Sequence, residues 1–302
     1  MSSLNMNMNM NMNMNMAAAG TSADGAATHV RFNTQDYRKF VLLNPINITE
    51  AVIPANFNSM RYFPYWDADL RTYEYLNEFL IKYPDWQTLL ETFVATTPGL
   101  PFGLTPPYGM TPTALTDQVQ QMLDRAPDRE DRFAEIVDQH AAEGAIGYFF
   151  GMLMIDPARM PATNLLIRVA RRIGEHVVMC LKGKYLCPRP SHFCSAIVPM
   201  IDPPATPAFP AGHSLQARLI ARCLEAAVPP MRPLHLLDDL AERIGENRIV
   251  AGLHFPADHA TGKGVANWCF DALLDTLPAG SLFPALLLAA TTELKNQWLP
   301  LP

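Results

Sequence analysis

The sequence predicts an all-α protein, and three observations support that prediction. Apolar residues recur at helical spacing over most of the chain after residue 67. Alternating apolar and polar runs, which are typical of β-strands, are nearly absent. Because 49% of the 302 residues are apolar, the chain can bury a substantial core, which favours one large helical bundle over two small domains.

The composition of the first 30 residues predicts a tail rather than part of the core. Residues 5–16 alternate asparagine with methionine, and small residues follow to Ala27. Neither composition can bury enough apolar surface to offset the entropy lost on ordering. We therefore interpret residues 1–30 as a low-complexity, disordered tail and residues 31–302 as a single α-helical domain.

The individual helices follow from the apolar periodicity and from the prolines and glycines that interrupt it. Breaks are expected at Tyr83-Pro84 and in the Pro/Gly-rich loop at 98–112. The stretch 129–155 becomes more apolar toward its end, which predicts one long helix that crosses the core. The predicted helices are 67–82, 86–96, 113–124, 129–155, 163–182, 214–227, 234–251, 256–277 and 283–297.

Composition argues against several classes of function. The net charge of −6 disfavours nucleic acid as a partner, since a protein that binds the phosphate backbone displays a broad basic face. A solvated face, not an anion site, is expected at Arg168, Arg171 and Arg172. The longest apolar stretch, 145–155, is too short to span a bilayer, and no basic region precedes an apolar run as in a secretory signal. We therefore expect a cytoplasmic protein without a membrane span.

Two short segments supply three permanent cations. The segment 182–190 reads KGKYLCPRP and contains Lys182 and Arg189, and Arg248 begins the segment RIVAGLHFPAD. Arginine offers a planar fork of donors that stays charged at any working pH, and lysine adds a compact point charge. Fixed cations of this kind bind the spread charge of a phosphate-like group. These three residues are therefore candidate oxyanion ligands.

A third segment, PAGH at 210–213, precedes the predicted helix at 214–227. Gly212 is thus expected at a helix start, where first-turn N–H groups are free and the helix dipole favours an anion. Imidazole titrates near the pH at which enzymes work. His213, placed across the oxyanion, can therefore protonate a leaving oxygen or accept a proton from water.

The segment RIVAGLHFPAD, at residues 248–258, also contains the candidate nucleophile. His254 and Asp258 are four residues apart, so the carboxylate can reach one ring nitrogen if the stretch is helical or a tight helical entry. Such a bond fixes the tautomer and leaves the other nitrogen bare, as a nucleophile or an oxyanion ligand needs. His192, three residues after Arg189, is a further candidate for lining the pocket. Surface or packing roles are expected for His29, His140, His176, His235 and His259.

In order and spacing, these segments resemble the signature of one superfamily. It joins type 2 phosphatidic acid phosphatases, bacterial class A acid phosphatases and vanadium-dependent haloperoxidases, with the pattern K-x6-R-P, then P-S-G-H, then S-R-x5-H-x3-D. The match covers residues 180–260, about a quarter of the chain. The residues around the motifs are most similar to those of the soluble bacterial haloperoxidase-like branch. The resemblance implies a helical bundle of the acid phosphatase/vanadium haloperoxidase type.

The resemblance also implies a role for each matched residue. The three cations and Gly212 would bind phosphate or vanadate, and His213 would be the acid. His254 would be the nucleophile of a phosphatase or the vanadate ligand of a haloperoxidase, supported by Asp258. A homodimer is a further implication of these relatives.

Two positions depart from the family pattern. Ala211 replaces the serine of the second motif, and Asn247 replaces the serine before Arg248. Asparagine still donates and accepts hydrogen bonds. The loss of the serine hydroxyl removes an oxyanion donor that is worth about 2–4 kcal/mol in the transition state. Ser214 is expected to point one turn away and not to compensate.

The motifs and their two departures from the family pattern leave three functions open. The first is a phosphohydrolase that needs no cofactor and passes through a phospho-His254 intermediate. The second is a haloperoxidase in which vanadate activates hydrogen peroxide to oxidise halide, because trigonal-bipyramidal vanadate resembles the transition state of phosphoryl transfer. The third is a non-catalytic oxyanion-binding protein, which Ala211 makes conceivable. The 40 residues between His213 and His254 leave little room for long insertions and favour the phosphohydrolase.

Overall fold

A computed structural model describes residues 67–97, 111–141, 143–228, 235–278 and 280–298, and the predicted tail lies outside these ranges. The described residues form helices and connecting turns, and no β-strand occurs among them, which confirms the all-α class. No helix within the described ranges is both long and apolar enough to cross a membrane.

The α-helices are numbered here in chain order. They are α1 Ala68–Lys82, α2 Trp86–Thr96, α3 Pro112–Leu123, α4 Arg129–His140, α5 Gly144–Leu153, α6 Pro161–Tyr185, α7 Pro190–Phe193, α8 Gly212–Ala227, α9 His235–Val250, α10 Pro256–Trp268 and α11 Leu282–Trp298. The predicted helix at 256–277 is α-helical only to Trp268, and a π-helical segment, Cys269–Leu274, continues it.

The prediction of one long helix at 129–155 is wrong. The chain leaves helical geometry at Ala141, whose ψ of 149° is extended, and a new helix begins at Gly144. A Cβ atom at position 144 would lie 1.8 Å from the carbonyl oxygen of Asp138, so the corner between α4 and α5 requires glycine. The apolar content stays high across the corner, which is why periodicity alone does not locate it.

The centre of the bundle is α8. It packs against α6, α9 and α10, and its buried residues include Leu215, Leu219 and Ile220. The helix α6 also packs against α1 and α11. The three partners of α8 are the helices that contain or adjoin the sequence motifs, so packing on α8 is what brings the motifs together.

Carboxylates from distant helices cap two helix N-termini. Glu293 of α11 accepts hydrogen bonds from the N–H groups of Ala162 and Thr163 at 2.9 and 2.7 Å. Glu78 of α1 accepts from the N–H of Leu282 at 2.7 Å. Negative charge is favourable at these positions because the first-turn N–H groups lack intrahelical partners. These bonds tie α1, α6 and α11 into one layer.

Candidate active site

The motif residues meet where α6 and α9 end and where α8 and α10 begin. Lys182 lies in the last turn of α6, and Arg248 lies in the last turn of α9. Gly212 is the first residue of α8, as the sequence predicts, and Asp258 lies in the first turn of α10. The charged side chains are nearly inaccessible to solvent, with exposures of 4% for Lys182, 4% for Arg189 and 0% for Arg248.

His254 lies between Asp258 and Arg189. Its Nδ1 is 3.4 Å from Oδ2 of Asp258, and its Nε2 is 2.9 Å from Nη1 of Arg189. A guanidinium group can only donate, so Nε2 carries the lone pair and Nδ1 carries the hydrogen. Burial and the nearby charges of Arg189 and Lys182 lower the pKa of His254 well below its ordinary value. The imidazole is therefore neutral, with its lone pair on Nε2.

Asp258 is fully buried and holds the local turn as well as the imidazole. Its Oδ2 also accepts from the N–H of Phe255 at 2.9 Å, and its Oδ1 has no hydrogen-bond partner among the described residues. Burial raises the pKa of Asp258 and lowers the pKa of Lys182, against the attraction between the two groups. Both groups are thus shifted toward their neutral forms.

Backbone carbonyl groups, rather than carboxylates, hold Lys182. Its Nζ donates to the carbonyl oxygens of Pro207 and Ala208, the second at 3.1 Å. No carboxylate of the described ranges forms a salt bridge with it. Arg189 donates in the same way to the carbonyl oxygen of Thr206 at 2.9 Å and to that of Leu253 at 3.0 Å. These contacts fix the chain that leads into Gly212 and His254.

Arg248 is the residue that points most directly to an anionic ligand. Its Nη2 donates to the carbonyl oxygen of Ile136 on α4 at 3.0 Å, while Nε and Nη1 are buried without a hydrogen-bond partner in the described part of the chain. Burial lowers its pKa to about 10, so the group stays charged. Leaving a buried donor without a partner costs about 1–3 kcal/mol. Two such donors on a buried cation suit an oxyanion.

His213 faces α4. Its Nε2 is 3.1 Å from the carbonyl oxygen of Gln139, and a carbonyl only accepts, so Nε2 carries the hydrogen. Burial and the charges of Arg248 and Lys182 lower the pKa of His213 to about 3. The imidazole is therefore neutral near pH 7. It can act as an acid only after a bound anion offsets these positive charges.

Sequence reasoning missed α4 as a wall of the site. Besides the carbonyl groups of Ile136 and Gln139, it contributes the Gln139 side chain, whose Oε1 accepts from Nδ2 of Asn247 at 2.9 Å. Oδ1 of Asn247 accepts from Arg132 at 3.3 Å. Asn247 thus both donates and accepts, as expected for this departure from serine. Gln139 lies 108 residues before Asn247, and no motif connects the two.

The chain reverses sharply between Arg248 and His254. Gly252 has a φ of 76°, and an added Cβ atom there would lie 3.1 Å from Nη2 of Arg129. Arg129 itself donates from Nε to the carbonyl oxygen of Val250 at 3.0 Å, at the end of α9. Only glycine adopts this left-handed conformation without strain. Gly252 therefore allows the turn that connects Arg248 to His254.

The PAGH segment at 210–213 lacks the side-chain contact that a serine would make at position 211. Ala211 is the N-cap of α8 and makes no side-chain hydrogen bond. Ser214 does not replace the lost hydroxyl, because its Oγ lies 2.8 Å from Nδ1 of His259, away from the cluster. An added Cβ atom at Gly212 would meet nothing closer than Val178 at 3.8 Å, so packing alone does not require glycine there. His192 is exposed on α7 and is not part of the buried cluster.

Comparison of the chain with models of known protein families and with curated proteins finds no match. The function therefore has to be argued from the site's own geometry and chemistry.

Proposed function

We propose that this protein is a phosphohydrolase of the superfamily that its motifs resemble, and that it transfers a phosphoryl group to His254 and then to water. The observation that carries the proposal is the buried cluster of Lys182, Arg189 and Arg248 beside two neutral histidines, His213 and His254. Arg248 contributes most to the argument, because its Nε and Nη1 are buried and without a partner among the described residues. Phosphate oxygens accept such charge-assisted hydrogen bonds well.

In the first step His254 is the nucleophile. Its Nε2 lone pair attacks phosphorus, a P–N bond forms, and the P–O bond to the leaving alcohol breaks. Arg189, which donates to Nε2 at 2.9 Å, transfers that hydrogen bond to the phosphate when substrate binds. Asp258 accepts from Nδ1–H and stabilises the positive charge that develops on the ring.

His213 provides and recovers the proton. A phosphate dianion offsets the charges of Arg248 and Lys182, which raises the pKa of His213, so substrate binding is coupled to proton uptake. Protonated His213 donates to the leaving oxygen. The neutral ring then accepts a proton from water as the water attacks the phospho-histidine, the P–N bond breaks and orthophosphate leaves.

A vanadium-dependent haloperoxidase is the second candidate, favoured by the lone pair on Nε2 of His254. Lys182, Arg189 and Arg248 would hold the vanadate oxygens, and Nε2 would ligate the vanadium. Vanadate, when bound, activates hydrogen peroxide for oxidation of a halide. Because Ala211 provides no hydroxyl donor, a non-catalytic oxyanion-binding protein is the third candidate.

A paired assay on the metal-stripped protein distinguishes the three candidates. Phosphate release from a generic phosphomonoester is measured alongside bromination with peroxide and bromide after orthovanadate is added. Phosphate release that orthovanadate inhibits supports the proposal. Bromination that depends on orthovanadate, without phosphate release, replaces it with the haloperoxidase. Binding of orthovanadate in titration calorimetry without either activity leaves the binding protein, and absence of binding contradicts all three.

A further inference from the structure

Three helices are joined by one imidazole, that of His259 on α10. The residue is 7% exposed, and its Nδ1 lies 2.8 Å from Oγ of Ser214 on α8. Its Nε2 lies 3.1 Å from Oε1 of Glu242 on α9, whose other oxygen pairs with Lys263. A carboxylate only accepts, so Nε2 donates to Glu242, and in the neutral ring the Ser214 hydroxyl donates to Nδ1. We call Ser214, His259 and Glu242 the polar link.

Glycines allow the helices to close around this link. A Cβ atom at Gly245 of α9 would lie 2.3 Å from Nδ1 of His259 and 2.8 Å from Oγ of Ser214. A Cβ atom at Gly262 of α10 would lie 2.7 Å from the carbonyl oxygen of Ala211. An added Cβ atom at either position would overlap its neighbours, so glycine leaves the space that the His259 ring and the start of α8 occupy. The polar link therefore has little room to shift.

The polar link is adjacent to the site in sequence as well as in space. Ser214 follows His213 on α8, and His259 follows Asp258 on α10. The N–H of Ala211 also donates to the carbonyl oxygen of Asp258 at 3.0 Å, so the beginnings of these two helices are directly bonded. A displacement of His259 would thus move the acid and the orienting carboxylate together, relative to α9.

We propose that His259 is a positioning residue: through Ser214 and Glu242 it holds His213 and Asp258 in register with Arg248 of α9. The inference rests on the proposed function, because it assigns the polar link a part in the same site. The polar link has the residue types of a serine hydrolase triad. Ser214 is 0% exposed, however, so its hydroxyl cannot meet a substrate, and the contacts connect helices instead of activating a nucleophile.

The test compares His259→Gln, Ser214→Ala and the double variant with wild type. We expect His259→Gln to lower kcat for phosphate release about tenfold or more, because small misplacements of reacting groups are costly. KM and the orthovanadate Kd should stay within about threefold of wild type, because the cations that bind the anion are retained. Both single variants remove the contact between Ser214 and His259, so the double variant should lose no more than the larger single loss.

The control is Glu293→Gln, which weakens an interhelix contact of the outer layer and should leave kcat per folded molecule unchanged. A purely structural role of His259 would lower Tm without changing kcat per folded molecule, and that result would overturn the inference. Fully additive losses in the double variant, or labelling of Ser214 by an organophosphonate, would overturn it as well. If wild type neither binds orthovanadate nor releases phosphate, the proposed function itself fails, and the inference fails with it.

Discussion

Two groups of cations on and around α6 are built in opposite ways. The first, the arginine row, comprises Arg168, Arg171 and Arg172. Each guanidinium forms a salt bridge, and the partners are Asp69 at 3.0 Å, Glu143 at 2.7 Å and Glu175 at 3.0 Å, respectively. Side-chain exposures of 13–22% show that the row is half-buried and paired with carboxylates, so it is not the fully solvated face that the sequence predicted.

The second group, the oxyanion cluster, comprises Lys182, Arg189 and Arg248. Carbonyl oxygens hold Lys182 and Arg248, and neither forms a salt bridge with a carboxylate of the described ranges. A buried cation that is not paired with a carboxylate is costly. Arg168 and Arg171 therefore join α6 to α1 and to the start of α5, whereas the oxyanion cluster is suited to a mobile anion.

The largest expected effect concerns His254, the proposed nucleophile, which Arg189 of the oxyanion cluster contacts. His254→Ala should lower kcat for phosphate release about a thousandfold or more, because the phospho-histidine cannot form. Circular dichroism should show the helices intact. The control is His235→Ala, an exposed histidine at the start of α9, which should keep wild-type kcat. Retained activity in His254→Ala would remove this residue from its assigned role.

The next test compares the loss of one cation from each group: Arg248 from the oxyanion cluster and Arg171 from the arginine row. Arg248→Met should lower kcat/KM about a hundredfold through lost oxyanion stabilisation. Its free energy of unfolding should be unchanged or higher, because an uncompensated buried charge is removed. Arg171→Met should instead destabilise by about 1 kcal/mol, because Glu143 loses a partner, with kcat/KM per folded molecule unchanged.

Urea denaturation and steady-state kinetics on both variants measure this contrast. If Arg248→Met lost more stability than Arg171→Met, the distinction between the two groups would not hold.

A third change should strengthen the oxyanion cluster. Ala211→Ser supplies a hydroxyl whose oxygen can accept from a first-turn N–H of α8 while its hydrogen is donated to the bound oxyanion. We expect kcat/KM to rise about tenfold and the free energy of unfolding to rise by about 1 kcal/mol. Ala211→Cys is the control, similar in size but a weak donor. Equal kcat/KM in the two variants would mean that position 211 does not face the oxyanion.

The last prediction concerns stability alone, through its dependence on pH. Burial and nearby cations lower the pKa of His213 to about 3, far below its ordinary value of 6.5. Between these values the unfolded chain binds more protons than the folded one, so the free energy of unfolding falls as pH falls. The contribution of His213 is at most about 1.4 kcal/mol per pH unit. Asp258, whose pKa burial raises, acts in the opposite direction.

The difference between wild type and His213→Asn in urea denaturation, from about pH 7 to about pH 4, isolates the histidine. The variant should lose less stability over this range than wild type. Orthophosphate should reduce the loss in wild type, because a bound anion raises the pKa of His213. An identical decline in both proteins would contradict a neutral His213 in the folded protein.

The sequence alone predicted the features that depend on neighbours within one or two helical turns. Apolar periodicity located most helix boundaries, and the four-residue spacing of His254 and Asp258 anticipated their contact at 3.4 Å. Gly212 begins α8 for the same local reason, because the proline-rich segment before it cannot continue a helix. Such contacts join residues that are close in the sequence, so their spacing along the chain is enough to predict them.

The tertiary structure decided what spans long separations. Packing determined that α4 accepts hydrogen bonds from Arg248 and His213, and that His259 joins three helices, although no spacing connects these residues. It also decided that the arginine row meets carboxylates, while Arg248 forms no salt bridge within the described ranges. The physical reason is that periodicity specifies which face of a helix is apolar but not which helix will cover it. A partner, a countercharge or an orphaned donor exists only after the helices have packed.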